Sequence, residues 1–351
     1  MSRYDDAAAR AQEGDVAGAL AAIDEFLAQS PRDLPALALK AELLEACGDA
    51  GAAGAYWKAL ASVAPPDAPL SAEMHALVAR ARSKVEALAA QLGGTLEAML
   101  SSVSARAASP RFARSLDILL GHREVFVQQP RAYYFPELPQ VQFFDDRGPF
   151  PWLAELEAQT ATIREELLGV LADGAAFEPY VKRHRERPHV SLGGLLESSD
   201  WTAFYLWKNG APVAENAARC PRTMRAIENI PLPRLSGCSP SVMFSQLRPG
   251  AHIPPHTGII NTRLICHLPL IVPPDCAFRV GNESREWSEA RCWLFDDSIE
   301  HEAWNRSAQT RVVLIFDVWR PELSAAERGA VAALFDAIAR TRGPGIDWGV
   351  Q

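Results

Sequence analysis

Three histidines and one arginine in the second half of the chain have the types and spacing that could do chemistry. His256 lies in RPGAHIPPHTG, a turn-rich lead into the strand-like run TRLICHLPLIV, which itself carries His267. His301 lies in LFDDSIEHEAWN, where a strand ends and a turn begins, and Arg311 follows ten residues later inside the hydrophobic run RVVLIFDVW. A guanidinium in such a strand needs a partner, because an unpaired buried charge is costly. A carboxylate ligand would satisfy it, since arginine can grip a carboxylate with two parallel hydrogen bonds. Two strand-borne histidines with a buried arginine in a jelly roll suggest a non-haem Fe(II) oxygenase that uses 2-oxoglutarate. Imidazole suits Fe(II), and such sites keep positions open for cosubstrate and O2. The usual carboxylate ligand would stand two residues after the first histidine, and that residue is Gly258. Asp296, Asp297 or Asp317 could be proposed as a third ligand, although FDDS reads better as a turn. Histidines hydrogen-bonded within a cupin-like core remain the alternative at this point.

The other histidines read as surface or packing residues: His75 in a helix, His122 after Gly121, His184 and His189 beside an Arg-rich turn, and His252 close to the candidate site. The six cysteines, Cys47, Cys220, Cys238, Cys266, Cys276 and Cys292, include no C-x-x-C pair. They make neither a small disulfide framework nor a zinc ribbon, so a reducing cytoplasm is the expected compartment.

The elements that must position these residues belong to a chain of 351 residues, enough for about two domains at roughly 150 residues each. Hydrophobic residues make up 48% and charged residues 22%, which excludes a disordered chain. The balance of 35 basic and 43 acidic residues, a net charge of −8, argues against a nucleic-acid or membrane-surface binder. No apolar run approaches the ~18 residues of a transmembrane helix. The segment MSRYDDAAARAQEGD is polar and acidic where a signal peptide would be apolar.

Residues 4–60 read as alanine-rich helices with an internal period. Gly14-Asp15 recurs as Gly48-Asp49, Pro31 as Pro65, Ala19 as Ala53, Ile23 as Trp57 and Phe26 as Leu60, each 34 residues on. Small residues at the helix contact, Gly-Asp in the turn and proline after the second helix resemble the tetratricopeptide repeat, with about two repeats visible. Residues 67–121 continue as helix. Met74, Leu77, Val78, Val85, Leu88 and Leu92 form an apolar face, Ser71 and Glu73 stand near the start, and Gly93-Gly94 is expected to end it. A packing module and a partner-binding groove are both open readings of this region. The stretch 124–150 is rich in aromatics and proline and reads as extended loop. A helix over roughly 151–172 follows, then WTAFYLW, SVMFSQL, TRLICHLPLIV, CAFRV, RCWLF and RVVLIFDVW, which suggest an all-β barrel or double-sheet jelly roll. PELSAAERGAVAALFDAIAR closes the chain as a helix.

HTG at 256–258, RLICHL at 263–268, LFDDSIEHEAWN at 294–305 and RVVLIFDVWRPEL at 311–323 together resemble the aspartyl/asparaginyl β-hydroxylases. YFPELP at 134–139, WTAFYLWKNG at 201–210 and MFSQLRPGAHIPPHTG at 243–258 fit the same pattern, so the resemblance covers about 125–325. It implies a double-stranded β-helix and iron held by two histidines only, His256 and His301, with Gly258 where other oxygenases place the carboxylate. It implies that Arg311 and Ser245 bind the far carboxylate of 2-oxoglutarate and that His267 contacts the cosubstrate near the metal. Several members of the family carry a tetratricopeptide-like region before the catalytic domain. Three departures stand out. Ile265 replaces a second arginine of the animal enzymes, which leaves Arg263 as the substrate-facing cation; the alternative is that Arg263 pairs with a structural carboxylate such as Asp296 or Asp297. Cys220 stands alone where those enzymes have a cysteine pair, and no transmembrane anchor precedes the repeats.

The expectation is therefore an α+β protein: tetratricopeptide-like repeats over 1–66, a helical connector over 67–124 and a β-helix oxygenase domain over 125–351. Its expected activity is Fe(II)-, O2- and 2-oxoglutarate-dependent hydroxylation of Asp or Asn residues in a peptide or protein. The alternatives are hydroxylation of a small molecule, whether an amino acid or a lipid acyl chain, and an inactive scaffold. A protein partner on the repeats fits this expectation; nucleic acid and membrane insertion do not.

Overall fold

The computed structural model describes residues 3–63, 70–101, 107, 109–173, 177–183 and 193–342. The chain divides into two compact units, Met1–Arg123 and Glu124–Gln351.

The first unit is helical: α1 (Arg3–Glu13), α2 (Val16–Gln29), α3 (Leu34–Ala46), α4 (Ala50–Val63), α5 (Ala72–Ser101) and α6 (Pro110–Leu119). The period of 34 has a physical basis. Gly14 and Gly48 both take positive φ, 83° and 76°, a conformation open to glycine at little cost. The aspartates that follow cap the next helices, Asp15 accepting from the Gly18 N–H and Asp49 from the Ala52 N–H, both at 3.0 Å. Ala19, Ile23, Trp57 and Leu60 are all buried in one core with Leu37 and Val78. Ser71 caps α5 through the Met74 N–H at 3.3 Å. Gly93-Gly94 does not end α5, contrary to expectation. A glycine stop needs positive φ, and neither residue adopts it. Among the described residues no helix is long and apolar enough to cross a membrane.

The second unit begins with the 124–150 stretch, which holds no helix or multi-residue strand and makes the single bridges Tyr133–Ile260, to the loop between the fifth and sixth strands, and Phe143–Phe295, to the ninth strand. The helix expected over 151–172 is two helices, α7 (Leu153–Ala158) and α8 (Thr160–Ala172). They break at Gln159, where the Thr160 hydroxyl donates to the Glu157 carbonyl at 2.6 Å and competes for a ladder acceptor. The strands are β1 (Glu178–Pro179), β2 (Trp201–Lys208), β3 (Ala211–Pro212), β4 (Val242–Leu247), β5 (His252–His256), β6 (Arg263–Ile271), β7 (Cys276–Val280), β8 (Glu283–Glu286), β9 (Trp293–Phe295), β10 (His301–Asn305) and β11 (Arg311–Trp319). Short helices α9 (Ala214–Arg219) and α10 (Pro221–Ile227) follow β3, and α11 (Ala325–Arg342) closes the fold.

The strands form two antiparallel sheets. The larger runs β1-β2-β4-β11-β6-β9 with β3 on β2, and the smaller runs β5-β10-β7-β8. This is the expected double-sheet jelly roll with helices beside it, an α+β fold. Side chains on a strand alternate faces. On the large sheet the even-numbered residues, among them Phe244, Leu264, Cys266, Leu268, Leu314 and Phe316, are buried in one core with Ile163, Leu167 and Val170 of α8. The odd-numbered residues are left for the space facing the small sheet. Each fully buried side chain of the Leu, Ile or Phe kind contributes roughly 1.5–3 kcal/mol, so this core fixes which face each functional residue presents.

Two strands lie where the sequence pattern predicts turns. β5 contains Pro254 and Pro255, which hide a strand in sequence; the structure tolerates them because β5 is an edge strand. HEAWN, expected as the turn after a strand, is β10, paired on both sides.

Candidate functional site

The two sheets enclose a cavity of about 150 Å³ that opens to solvent. His256, at the end of β5, and His301, at the start of β10, are direct partners in the antiparallel register, and their rings lie 4.1 Å apart between centroids. Each ring is oriented by its own strand. Nδ1 of His256 lies 2.8 Å from the Pro254 carbonyl, and Nδ1 of His301 lies 3.0 Å from the Ile299 carbonyl. With Nδ1 donating, Nε2 is left unprotonated with its lone pair free, the arrangement found around metal-bound imidazoles. Burial favours the neutral form of both. It pushes His301 down to about 4 and His256 well below the usual histidine range, the neighbouring ring of His301 adding to the shift.

Gly258 follows two residues after His256, and its N–H donates to the Asp297 carbonyl at 2.6 Å. A Cβ there would overlap the Asp297 carboxylate, with even the farther oxygen, Oδ1, only 2.7 Å away. Position 258 therefore cannot carry an acid while Asp297 holds this place. Asp297 keeps one oxygen without a hydrogen-bond partner, and burial raises its pKa against the pull of Arg263. Asp296 is engaged elsewhere, paired with Arg320 at 2.6 Å with both side chains fully buried. Among the described residues no group of three or more His, Cys, Asp and Glu is arranged to hold a metal.

Across the cavity, Arg311 starts β11 and is 1% exposed. Among the described residues no carboxylate pairs with it, its Nε lacks a partner, and burial pulls it down to about 10. Its guanidinium lies 4.7 Å from the centre of the Trp287 ring. Ser245 of β4 stands opposite Val313, so it shares a face with Arg311. Its Oγ accepts from Trp201 Nε1 at 3.1 Å, which leaves the hydroxyl proton for another acceptor. His267 of β6 is buried with Nδ1 unpartnered, between Phe278 and Phe295 at 5.2 and 4.9 Å, and is held neutral by burial and then by Arg311.

Arg263, Ile265 and His267 alternate along β6 and all line the cavity. The charge of Arg263 is already matched: it donates to Asp317 at 2.9 Å and to Asp297 at 3.4 Å. Burial works against its charged form, and these two carboxylates more than offset that, leaving the pKa above the usual arginine value. Asp317 also accepts from the Ser241 N–H and the Ser239 hydroxyl.

The structure thus brings His256, His301, Ser245, His267, Arg311 and Arg263 into one cavity. Sequence reasoning missed Trp201, whose place on a face with Tyr205 follows from strand alternation. It also missed Arg131, which reaches the cavity from the 124–150 stretch, where no periodicity marks it. His252 lies on the surface side, stacked on Trp304 and bonded to Glu302 at 2.9 Å. His184 and His189 lie outside the described residues.

Residues 157–321 match the family described as Aspartyl/Asparaginyl beta-hydroxylase. The chain is 39% identical over 143 residues to the human protein named Aspartyl/asparaginyl beta-hydroxylase, covering 40% of this chain and 18% of that one. It is 32% identical over 214 residues to Aspartate beta-hydroxylase domain-containing protein 2 of Xenopus tropicalis, covering 60% and 55%. It is 36% identical over 179 residues to the Ornithine lipid ester-linked acyl 2-hydroxylase of Rhizobium tropici, covering 50% and 60%. The chain spans less than two thirds of each of these relatives. The matched stretch takes in the strands that carry the paired histidines and Arg311, and in this part the chain is similar to the aspartyl/asparaginyl β-hydroxylase family.

Proposed function

We propose that the cavity binds Fe(II) through His256 and His301 and 2-oxoglutarate through Arg311, and that the protein hydroxylates a C–H beside a carbonyl carbon. One observation carries this reading: a buried arginine without a carboxylate partner faces two neutral imidazoles oriented through Nδ1. The donor set fits the metal, and the orphaned guanidinium fits a dicarboxylate. Bound iron would supply oxygen activation coupled to oxidative decarboxylation of the cosubstrate. Overall, 2-oxoglutarate, O2 and R–H give succinate, CO2 and R–OH, with one oxygen atom entering each organic product.

The chain's own residues bind and orient. Arg311 grips the far carboxylate, the Ser245 hydroxyl donates to it, and neutral His267 lies beside it without adding charge. Phe278, Phe295 and Trp201 keep this end dry, which strengthens each polar contact.

The family's name supports an Asp or Asn residue of a peptide or protein as substrate, hydroxylated at the β-carbon. That carbon adjoins the side-chain carbonyl, and the 2-position named for the Rhizobium relative adjoins an acyl carbonyl. A lipid or other acyl substrate is the second reading. It is favoured by the matched charge of Arg263 and by Ile265, Met243 and Ile315 on the cavity wall. The test is to incubate the protein with Fe(II), 2-oxoglutarate and O2, measure succinate, and search Asp- and Asn-containing peptides and acyl-amino acids for a gain of one oxygen. No succinate with any substrate, and none without, would overturn the reading.

A further inference from the structure

We infer that Trp287 is a positioning residue for the cosubstrate: its indole face holds the Arg311 guanidinium so that the fork is presented to the cavity. This rests on the assignment of Arg311 to 2-oxoglutarate made above. Arg311 is fully buried with no carboxylate among the described residues, so something other than an ion pair must offset the desolvation of its charge. The group in place is Trp287, with the guanidinium carbon 4.7 Å from the ring centre. An aromatic face attracts a cation most strongly when both are out of water, and arginine stacks on it without using its N–H groups. The donors stay available for a ligand.

Trp287 is itself held rigidly. It stacks on Trp293 at 5.5 Å and 17°, packs against Phe278 at 5.5 Å, and lies near parallel to His267 at 6.1 Å and 25°. It follows β8 of the small sheet, whereas Arg311 belongs to the large sheet, so the contact bridges the two. A carboxylate in Trp287's place would pair with Arg311 and compete with the ligand; an aliphatic side chain would leave the guanidinium free to turn.

The experiment measures 2-oxoglutarate binding by calorimetry to Mn(II)-loaded protein without O2, so that no turnover is needed. Trp287→Leu is expected to weaken 2-oxoglutarate binding about 30-fold, the loss of a desolvated cation–π contact of about 2 kcal/mol, while Mn(II) affinity is kept. Trp287→Phe retains a π face and is expected to stay within about threefold of wild type. Phe143→Leu is the structural control. It removes a buried aromatic from the same core without touching Trp287 or Arg311, and should lower the melting temperature yet leave 2-oxoglutarate binding intact. Wild-type affinity in Trp287→Leu overturns the inference, as does equal weakening in Phe143→Leu. Failure of Trp287→Phe to bind better than Trp287→Leu overturns it too, and if Trp287→Leu does not fold, this Phe variant decides alone: a loss beyond about threefold counts against the inference. No binding by wild-type Mn(II) protein would instead overturn the assignment of Arg311 to the cosubstrate.

Discussion

Gly258 and Asp297 share one space: the Gly258 N–H donates to the Asp297 carbonyl, and the Asp297 carboxylate fills the volume a side chain at 258 would need. A carboxylate two residues after His256 is thus blocked by a residue brought from 39 positions away. Gly258→Ala should lower stability by about 1–3 kcal/mol in urea unfolding, as overpacking of a tight site does. The same substitution in an Asp297→Ala background should cost clearly less. Equal costs in the two backgrounds would show that the contact is not what excludes the side chain.

The paired histidines should carry metal binding between them. His256→Ala and His301→Ala are each expected to weaken Mn(II) or Fe(II) binding at least 100-fold in an anaerobic titration and to abolish succinate formation. If the double variant still consumed 2-oxoglutarate at the wild-type rate, the metal lies elsewhere.

Arg311→Lys keeps the charge and loses the planar fork, so 2-oxoglutarate binding should weaken by one to two powers of ten, the worth of a charge-assisted bond of roughly 1.5–3 kcal/mol. Arg311→Met removes a buried cation without a carboxylate and should raise stability by about 1–3 kcal/mol in the absence of ligand. A less stable Met variant would mean that the contact with Trp287 more than offsets the desolvation of the charge.

Arg263 behaves differently because its charge is matched. Arg263→Ala leaves Asp297 and Asp317 buried without their cation, and thermal unfolding should show a loss of about 3–5 kcal/mol. A folded Arg263→Ala variant with wild-type stability that fails only on acidic peptides would return this residue to the substrate side.

Legibility in the sequence followed the physics of each element. CAFRV and RVVLIFDVW coincide residue for residue with β7 and β11: β7 alternates buried and half-buried residues as a strand with one covered face does, and β11, buried on both faces, reads as a nearly continuous apolar run. The strands that carry the histidines were harder to see. β5 holds two prolines and β10 holds His301 and Glu302, so both look like turns until the sheet supplies their partners. Arg263 was visible on its strand, with Asp297 as a candidate structural partner; Asp317, the nearer carboxylate, was not, because it comes from β11, a long-range meeting with no local signal.

The site's two halves hang from different sheets. His256 and His301 belong to the four-stranded sheet, and Arg311 and Ser245 to the seven-stranded one. Under the proposed reading, a ligand gripped at both ends has to span the gap between them, and the sandwich would then act as a caliper for the length of the dicarboxylate. Ile253 and Ala303, buried on the small sheet and lining the same cavity, are the side chains whose volume would set its opening.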